Sequence, residues 1–153
     1  MRFLRDTPFS PSHALLEFEK RIGDAGGVVT FSGHVREASA DGKVTSLYLQ
    51  HHPVLTEHGI AEVKKEAETR WALSATMIIH RIGEMYPGDP IVFVAAASRH
   101  RREAFEAADF LMDYLKTEAV FWKKETTEHG TRWIEPRIQD YEDRQRWKQK
   151  EMS

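Results

Sequence analysis

The 153-residue sequence contains no cysteine. That one absence excludes disulfides, thiolate zinc sites, iron–sulfur ligation and a protein thiol nucleophile, and it fits a reducing compartment. Long apolar runs are also missing: none approaches the ~20 residues that cross a bilayer. The opening stretch, MRFLRDTPFSPSH, lacks the apolar core of a secretion signal. These absences give the expectation of a cytoplasmic protein with no membrane contact. Charge of one sign is scarce too, with 22 Lys and Arg against 24 Asp and Glu, formally −2. No global basic field draws in nucleic acid, so any anion site has to be a local cluster. No P-loop, GxGxxG turn or GxSxG elbow occurs. The eight histidines include no HExxH and no other compact ligand spacing, so no metal and no cofactor is expected.

The apolar share of 41% is ordinary for a single domain with a sizeable core. Ser10 before Pro11 marks a helix start, and Leu15, Phe18 and Ile22 continue at helical spacing. GVVTFSGHVR alternates, with Val29, Phe31, Gly33 and Val35 on one face of a strand. Asp41-Gly42 signals a hairpin turn, with VTSLYLQ as the returning strand. After Pro53, Thr56 is placed to cap a second helix whose stripe is Ile60, Val63, Ala67 and Trp71. ATMIIHRI is a strand, and Tyr86-Pro87-Gly88-Asp89-Pro90 is a type II turn. IVFVAAAS is apolar throughout, as a central strand would be. Ser98 is placed to cap a third helix with a buried stripe of Phe105, Ala108, Met112 and Leu115. AVFWKKET and TRWIEPR form a last hairpin around Glu128-His129-Gly130. The order α β β α β β α β β predicts an α+β fold with a mostly antiparallel sheet and three main helices. Residues 1–139 are expected to form one domain, and 140–153 a charged tail.

Two cationic clusters stand out. SRHRREAF places Arg99, His100, Arg101 and Arg102 where a helix N-terminus favours acids. An anion held by free backbone N–H groups and guanidinium forks would account for them; splaying into water is the alternative. DYLKTEAVFWKKE carries the second cluster. Lys116 near a helix C-terminus suits the dipole without any further role. Lys123 and Lys124 point to opposite faces of a strand. A lysine beside buried aromatics either loses solvation and becomes a better nucleophile or base, or snorkels with its stem over apolar surface. Arg36 at a strand end is a substrate contact or a surface charge. Basic residues interleaved with Phe121 and Trp122 would also suit single-stranded nucleic acid, but the net charge argues against that.

The segments FSGHVRE, HRIGEMYPGDPIVFVAAASRHRREAF, FLMDYLKTEAVFWKKE and GTRWIE carry a resemblance running from about Val28 to Glu135. The chain resembles the large, catalytic subunits of molybdopterin synthase. The resemblance implies an α/β hammerhead-type fold and a homodimer within a heterotetramer. It implies a partner, a small ubiquitin-like sulfur carrier whose C-terminal Gly-Gly bears a thiocarboxylate. The implied activity is transfer of sulfur to cyclic pyranopterin monophosphate, forming the dithiolene of molybdopterin in molybdenum cofactor biosynthesis. On the matching positions, Lys116 and Lys123 are implied as catalytic. His34, Val35, Arg36, His100, Arg101, Lys124 and Glu125 are implied as substrate-binding, with His100 and Arg101 contributed across the dimer. The missing cysteine then makes sense, because the sulfur arrives on the partner. The sequence departs from the family pattern at Val120, where proline is usual, and at Gln50-His51-His52-Pro53. A non-catalytic partner-binding protein of the same fold is the alternative, and the presence of Lys116, Lys123, Arg36, His100 and Arg101 argues against it.

Overall fold

The structure, a computed structural model, describes the backbone of residues 1–152 and the side chains of residues 1–148. Its elements in chain order are β1 (Leu4–Arg5), α1 (Pro11–Glu19), β2 (Gly27–His34), β3 (Ala38–Ser39), β4 (Gly42–His51), α2 (Leu55–Arg70) and β5 (Leu73–Arg81). There follow β6 (Gly83–Met85), β7 (Pro90–Ser98), α3 (Arg101–Thr117), β8 (Phe121–Thr127), β9 (Gly130–Ile134) and α4 (Ile138–Met152). The expected α+β architecture is present, with its strands divided between two sheets.

The first sheet has the order β1-β5-β7-β2, antiparallel except for the short β1–β5 pair. β7 is central because its sequence is apolar on both faces, and every residue from Val92 to Ser98 is buried. Phe93, Ala95 and Ala97 face Ala14 and Phe18 of α1. Val92, Val94 and Ala96 face the larger core beneath α2 and α3. Alternation along one strand thus serves two packed layers.

The second sheet runs β3-β4-β8-β9, with β6 also on β4. The Asp41-Gly42 turn therefore returns to β3 alone, through the Ser39–Gly42 pair, while β2 leaves to pair with β7. The expectation that β2 and β4 form one hairpin is corrected on this point. A bulge at Gly33/His34 ends the β2–β7 ladder and lets the chain cross to the second sheet. The last hairpin forms as expected, with Thr127 paired to Gly130.

Helix ends differ from the sequence expectation in two places. α3 begins at Arg101 with His100 as N-cap, and the Ser98 hydroxyl bonds to the His100 carbonyl. Thr56 lies inside α2. Its place as cap is taken by the His52 ring, whose Nδ1 accepts from the N–H groups of Val54 and Leu55 at 3.1 and 3.0 Å. The buried face of α3 also shifts: Phe105 is 57% exposed, and Ala104, Ala107, Phe110 and Leu111 go inside with Ala108 and Leu115.

The charged C-terminal residues fold back on the chain itself. In α4, Trp147 is 2% exposed and stacks edge-on against Trp71 and Phe110, while its Nε1–H donates to Asp113 at 2.6 Å. Arg144 pairs with Glu118, and Arg146 with Asp109 and Asp113. A helix polar over most of its surface is thus anchored by one aromatic and a ring of ion pairs.

Candidate functional site

Three segments meet at the seam between the two sheets. Lys116 arrives on the last turn of α3, Lys123 on β8, and Arg36 on the crossing that follows β2. The crossing is held by the turn before β7. Gly88 adopts φ +91 as the third residue of a type II turn, and Asp89 N–H closes it onto the Tyr86 carbonyl at 2.9 Å. Val35 N–H donates to Asp89 at 2.9 Å, and Gly88 N–H donates to Val35 at 2.8 Å. Val35 itself is buried, so it contributes its backbone while its side chain anchors Arg36 to the core. His34 Nδ1 lies 3.4 Å from the Gly88 carbonyl.

Two cavities open on the lysines. One, of about 440 Å³, is lined by Arg36, Lys116, Phe121, Lys123, residues 134–137 and Asp140. The other, of about 210 Å³, has His34, Arg36, Val44, Leu47, Ile91 and Glu125 around the same two lysines. Lys123 is largely removed from water, and that burial pulls its amine down to about 8. The neighbouring Lys116 amine, within hydrogen-bonding reach, pushes the same way, and Asp140 opposes both. A buried His80 stacks on Phe121 with ring centroids 4.3 Å apart. Its Nδ1 meets the Arg81 carbonyl at 2.8 Å, and burial lowers its pKa to about 3, keeping the ring neutral behind the lysines. Glu125 is buried, accepts from the Ser39 hydroxyl at 2.6 Å, and lies 3.7 Å from Arg132. The pocket therefore offers a near-neutral amine, a second amine beside it and a guanidinium at the rim. That set can hold an anion and move a proton at neutral pH.

Not every residue singled out in the sequence joins this pocket. Lys124 lies on the other face of β8, with its Nζ 5.8 Å from the Tyr48 ring and 5.5 Å from the Trp133 ring. Strand alternation separates it from Lys123. His100 and Arg101 sit at the opposite end of α3. At about 1.5 Å rise per residue, Arg101 and Lys116 stand roughly 22 Å apart along the axis. The N-cap His100 makes no side-chain cap hydrogen bond at the start of α3. Conversely, Arg137 and Asp140 line the lysine cavity, although the sequence offers Arg137 only as the end of the last hairpin and Asp140 only as the start of a charged tail. Pro136 before a run with acid in its first turn was the available signal of a helix start. Among the described residues, no group of three or more His, Asp or Glu could hold a metal ion. Nor is any helix long and apolar enough to cross a membrane.

Fold and site together define an α+β protein with a paired-lysine, cationic pocket at a two-sheet seam. The chain is 49% identical over 140 residues to the molybdopterin synthase catalytic subunit of Escherichia coli (strain K12), covering 92% of this chain and 93% of that protein. Among solved structures it superposes on a molybdopterin biosynthesis MoaE protein from Burkholderia ambifaria MC40-6. The TM-score is 0.77, with 36% identity and coverage of 96% and 97% of the two chains. It also superposes on molybdopterin synthase from Staphylococcus aureus, with TM-score 0.78, 30% identity and coverage of 87% and 96%. The family model for the MoaE protein matches residues 4–118. The chain belongs to the MoaE family.

Proposed function

We propose that this protein is the catalytic subunit of a molybdopterin synthase. It takes sulfur from the thiocarboxylated Gly-Gly terminus of a small ubiquitin-like subunit and transfers it to cyclic pyranopterin monophosphate, forming the molybdopterin dithiolene. The observation that carries this reading is the meeting of Lys116, Lys123 and Arg36 at one cavity, in a chain matched along nearly its full length by catalytic subunits of that enzyme. The donor's sulfur attacks the acceptor, displacing an oxygen and leaving a thioester; Lys116 polarises that carbonyl as water cleaves the acyl C–S bond, so the sulfur stays on the acceptor and the donor leaves as a carboxylate. Lys123, near neutrality, accepts and returns protons during transfer. Arg36 holds the acceptor's phosphate, and Glu125 fixes the floor of the smaller cavity.

The active form is a homodimer paired along β2, with each half binding one small subunit. β2 is a free edge with Val28 and Phe31 exposed, and Phe105 of α3 is exposed beside it. Its start touches Arg101, because a side chain on Gly27 would meet the Arg101 backbone at 3.6 Å. Its end leads into Arg36. Its eight residues span roughly 23 Å, matching the length of α3 between Arg101 and Lys116. A two-fold axis near Thr30 and Phe31 would lay the start of one β2 against the end of the other. The partner's His100 and Arg101 would then stand over this chain's lysines, with an uncapped helix start facing the acceptor's phosphate.

Reconstitution tests the assignment. The protein is mixed with a thiocarboxylated small subunit and cyclic pyranopterin monophosphate, and the product is oxidised to its fluorescent derivative. Product is expected with the native chain and none with Lys116→Ala, while the variant keeps its fold. A stable complex of the two proteins that makes no product would favour the partner-binding alternative.

A further inference from the structure

The three cations at the seam have an acidic neighbour that sulfur transfer, as described, does not use. Asp140 lies in the first turn of α4 and lines the same cavity as Lys116, Lys123 and Arg36. Its side chain is only 14% exposed. Both carboxylate oxygens are engaged: Oδ2 accepts the Arg137 N–H at 3.1 Å, and Oδ1 lies 3.3 Å from Arg137 Nη2. Half a capping box thus ties the helix start to the arginine at the cavity mouth. The helix cannot drift from this position easily, because Trp147 at its far end is packed into the core.

We infer that Asp140 is a positioning residue of the lysine pocket: its carboxylate fixes Arg137 at the mouth and serves as the counter-ion that keeps a proton available on Lys123. The inference rests on the sulfur-transfer reading only for its catalytic consequence. The groups facing Lys123 explain why one anion matters. Lys116 comes from α3 and disfavours a proton on Lys123; Arg36, from the segment after β2, lines the same cavity. His80 behind Phe121 is neutral and supplies no charge. Glu125 on β8 is engaged by Ser39 and Arg132. Glu135 lines the mouth of the larger cavity. Asp140 is the acid whose field acts on the Lys123 amine. Without it, Lys123 would sit neutral over a wider range and have less to donate when the transferred group needs a proton.

Direct titration of Lys123 provides the test. The full-length protein is labelled with trace acetic anhydride at a series of pH values, and the extent at Lys123 is read by mass spectrometry. Asp140→Asn and Asp140→Gln remove the charge but keep an acceptor for the Arg137 N–H, whereas Asp140→Glu keeps both. The labelling midpoint is expected to fall by roughly half a unit in the Asn and Gln variants and to stay at the native value in the Glu variant. In turnover, the limb of the pH–rate profile that reports Lys123 should move with it. Native midpoints in the Asn and Gln variants, with melting temperatures unchanged, would overturn the inference. Labelling needs no substrate, so a shifted midpoint in a protein that makes no dithiolene would support Asp140's role and remove the sulfur-transfer reading alone.

Discussion

The hydroxyl of Thr56 donates to the carbonyl of Val120 at 2.7 Å and accepts the N–H of His52 at 2.9 Å. One fully buried side chain thereby joins the end of β4, the first turn of α2 and the link that carries the chain from Lys116 to Lys123. Thr56→Val leaves a buried carbonyl and an N–H without partners. The expected loss is about 1–3 kcal/mol, read by urea denaturation, with Thr56→Ser close to native. An unchanged midpoint in the valine variant would show that the link holds without this bond.

Val120 stands where the family pattern has proline. Its N–H makes no hydrogen bond among the described residues, and its carbonyl would still be free to accept from Thr56. Val120→Pro is therefore expected to raise stability by about 0.4–1 kcal/mol through the unfolded state. A lower melting temperature would mean that the backbone at this position is incompatible with the ring.

Lys123 is held at a cost to the fold. Its amine is shifted down to about 8 by burial and by Lys116. The unfolded chain therefore binds more protons between that value and the ordinary lysine range. The penalty is complete below about pH 8 and is relieved as pH rises towards 10. Lys123→Met should melt higher than native at pH 7, by about 1–3 kcal/mol, and the gap should shrink in alkaline buffer, while product formation is lost. A methionine variant no more stable than native at pH 7 would contradict the desolvation of this amine.

Subunit mixing tests the dimer. Lys116→Ala and Arg101→Ala proteins are each expected to be inactive. After mixing and exchange, half the dimers carry both lesions, and one of their two sites is intact if lysine and arginine come from different chains. Activity should recover to about a quarter of native. No recovery despite verified exchange would place both residues in the site of a single chain.

Trp147 should matter to the pocket as well as to the core. Trp147→Ala removes a fully packed ring and the hydrogen bond to Asp113, with an expected loss of about 3–5 kcal/mol. Because α4 supplies Asp140 to the cavity and holds the preceding Arg137 there, affinity for the acceptor should fall with stability. A destabilised variant with native substrate affinity would separate the two roles.

How far the site could be read in advance depended on the range of the interactions involved. Period and punctuation gave β7, the last hairpin and the turn at Gly88, since each depends on neighbours a few residues away. Lys116 and Lys123 stood out because they broke an apolar pattern within one short segment. The split of β2 from β4 was not legible: their separation depends on a bulge at Gly33/His34 and on β7 as a competing partner. The cap of α2 was missed because an imidazole replaced the expected hydroxyl. The role of α4 was missed because a helix so rich in charge gives almost no apolar signal, and its single buried anchor, Trp147, is one residue in a polar run. His100 and Arg101 stand out in the sequence for defying the dipole, and α3 holds them roughly 22 Å from the lysines of the same chain.

The two lysines do not share a frame. Lys116 is fixed to a helix that packs on the first sheet, and Lys123 to a strand of the second. Their spacing therefore gauges the mutual placement of the two halves of the molecule. Sequence drift inside either half leaves that gauge untouched, whereas drift at the few residues joining them resets it. Natural variation in turnover among such proteins should then concentrate in positions like Thr56, Val120 and Gly88, which line neither lysine cavity but set how far apart two amines stand.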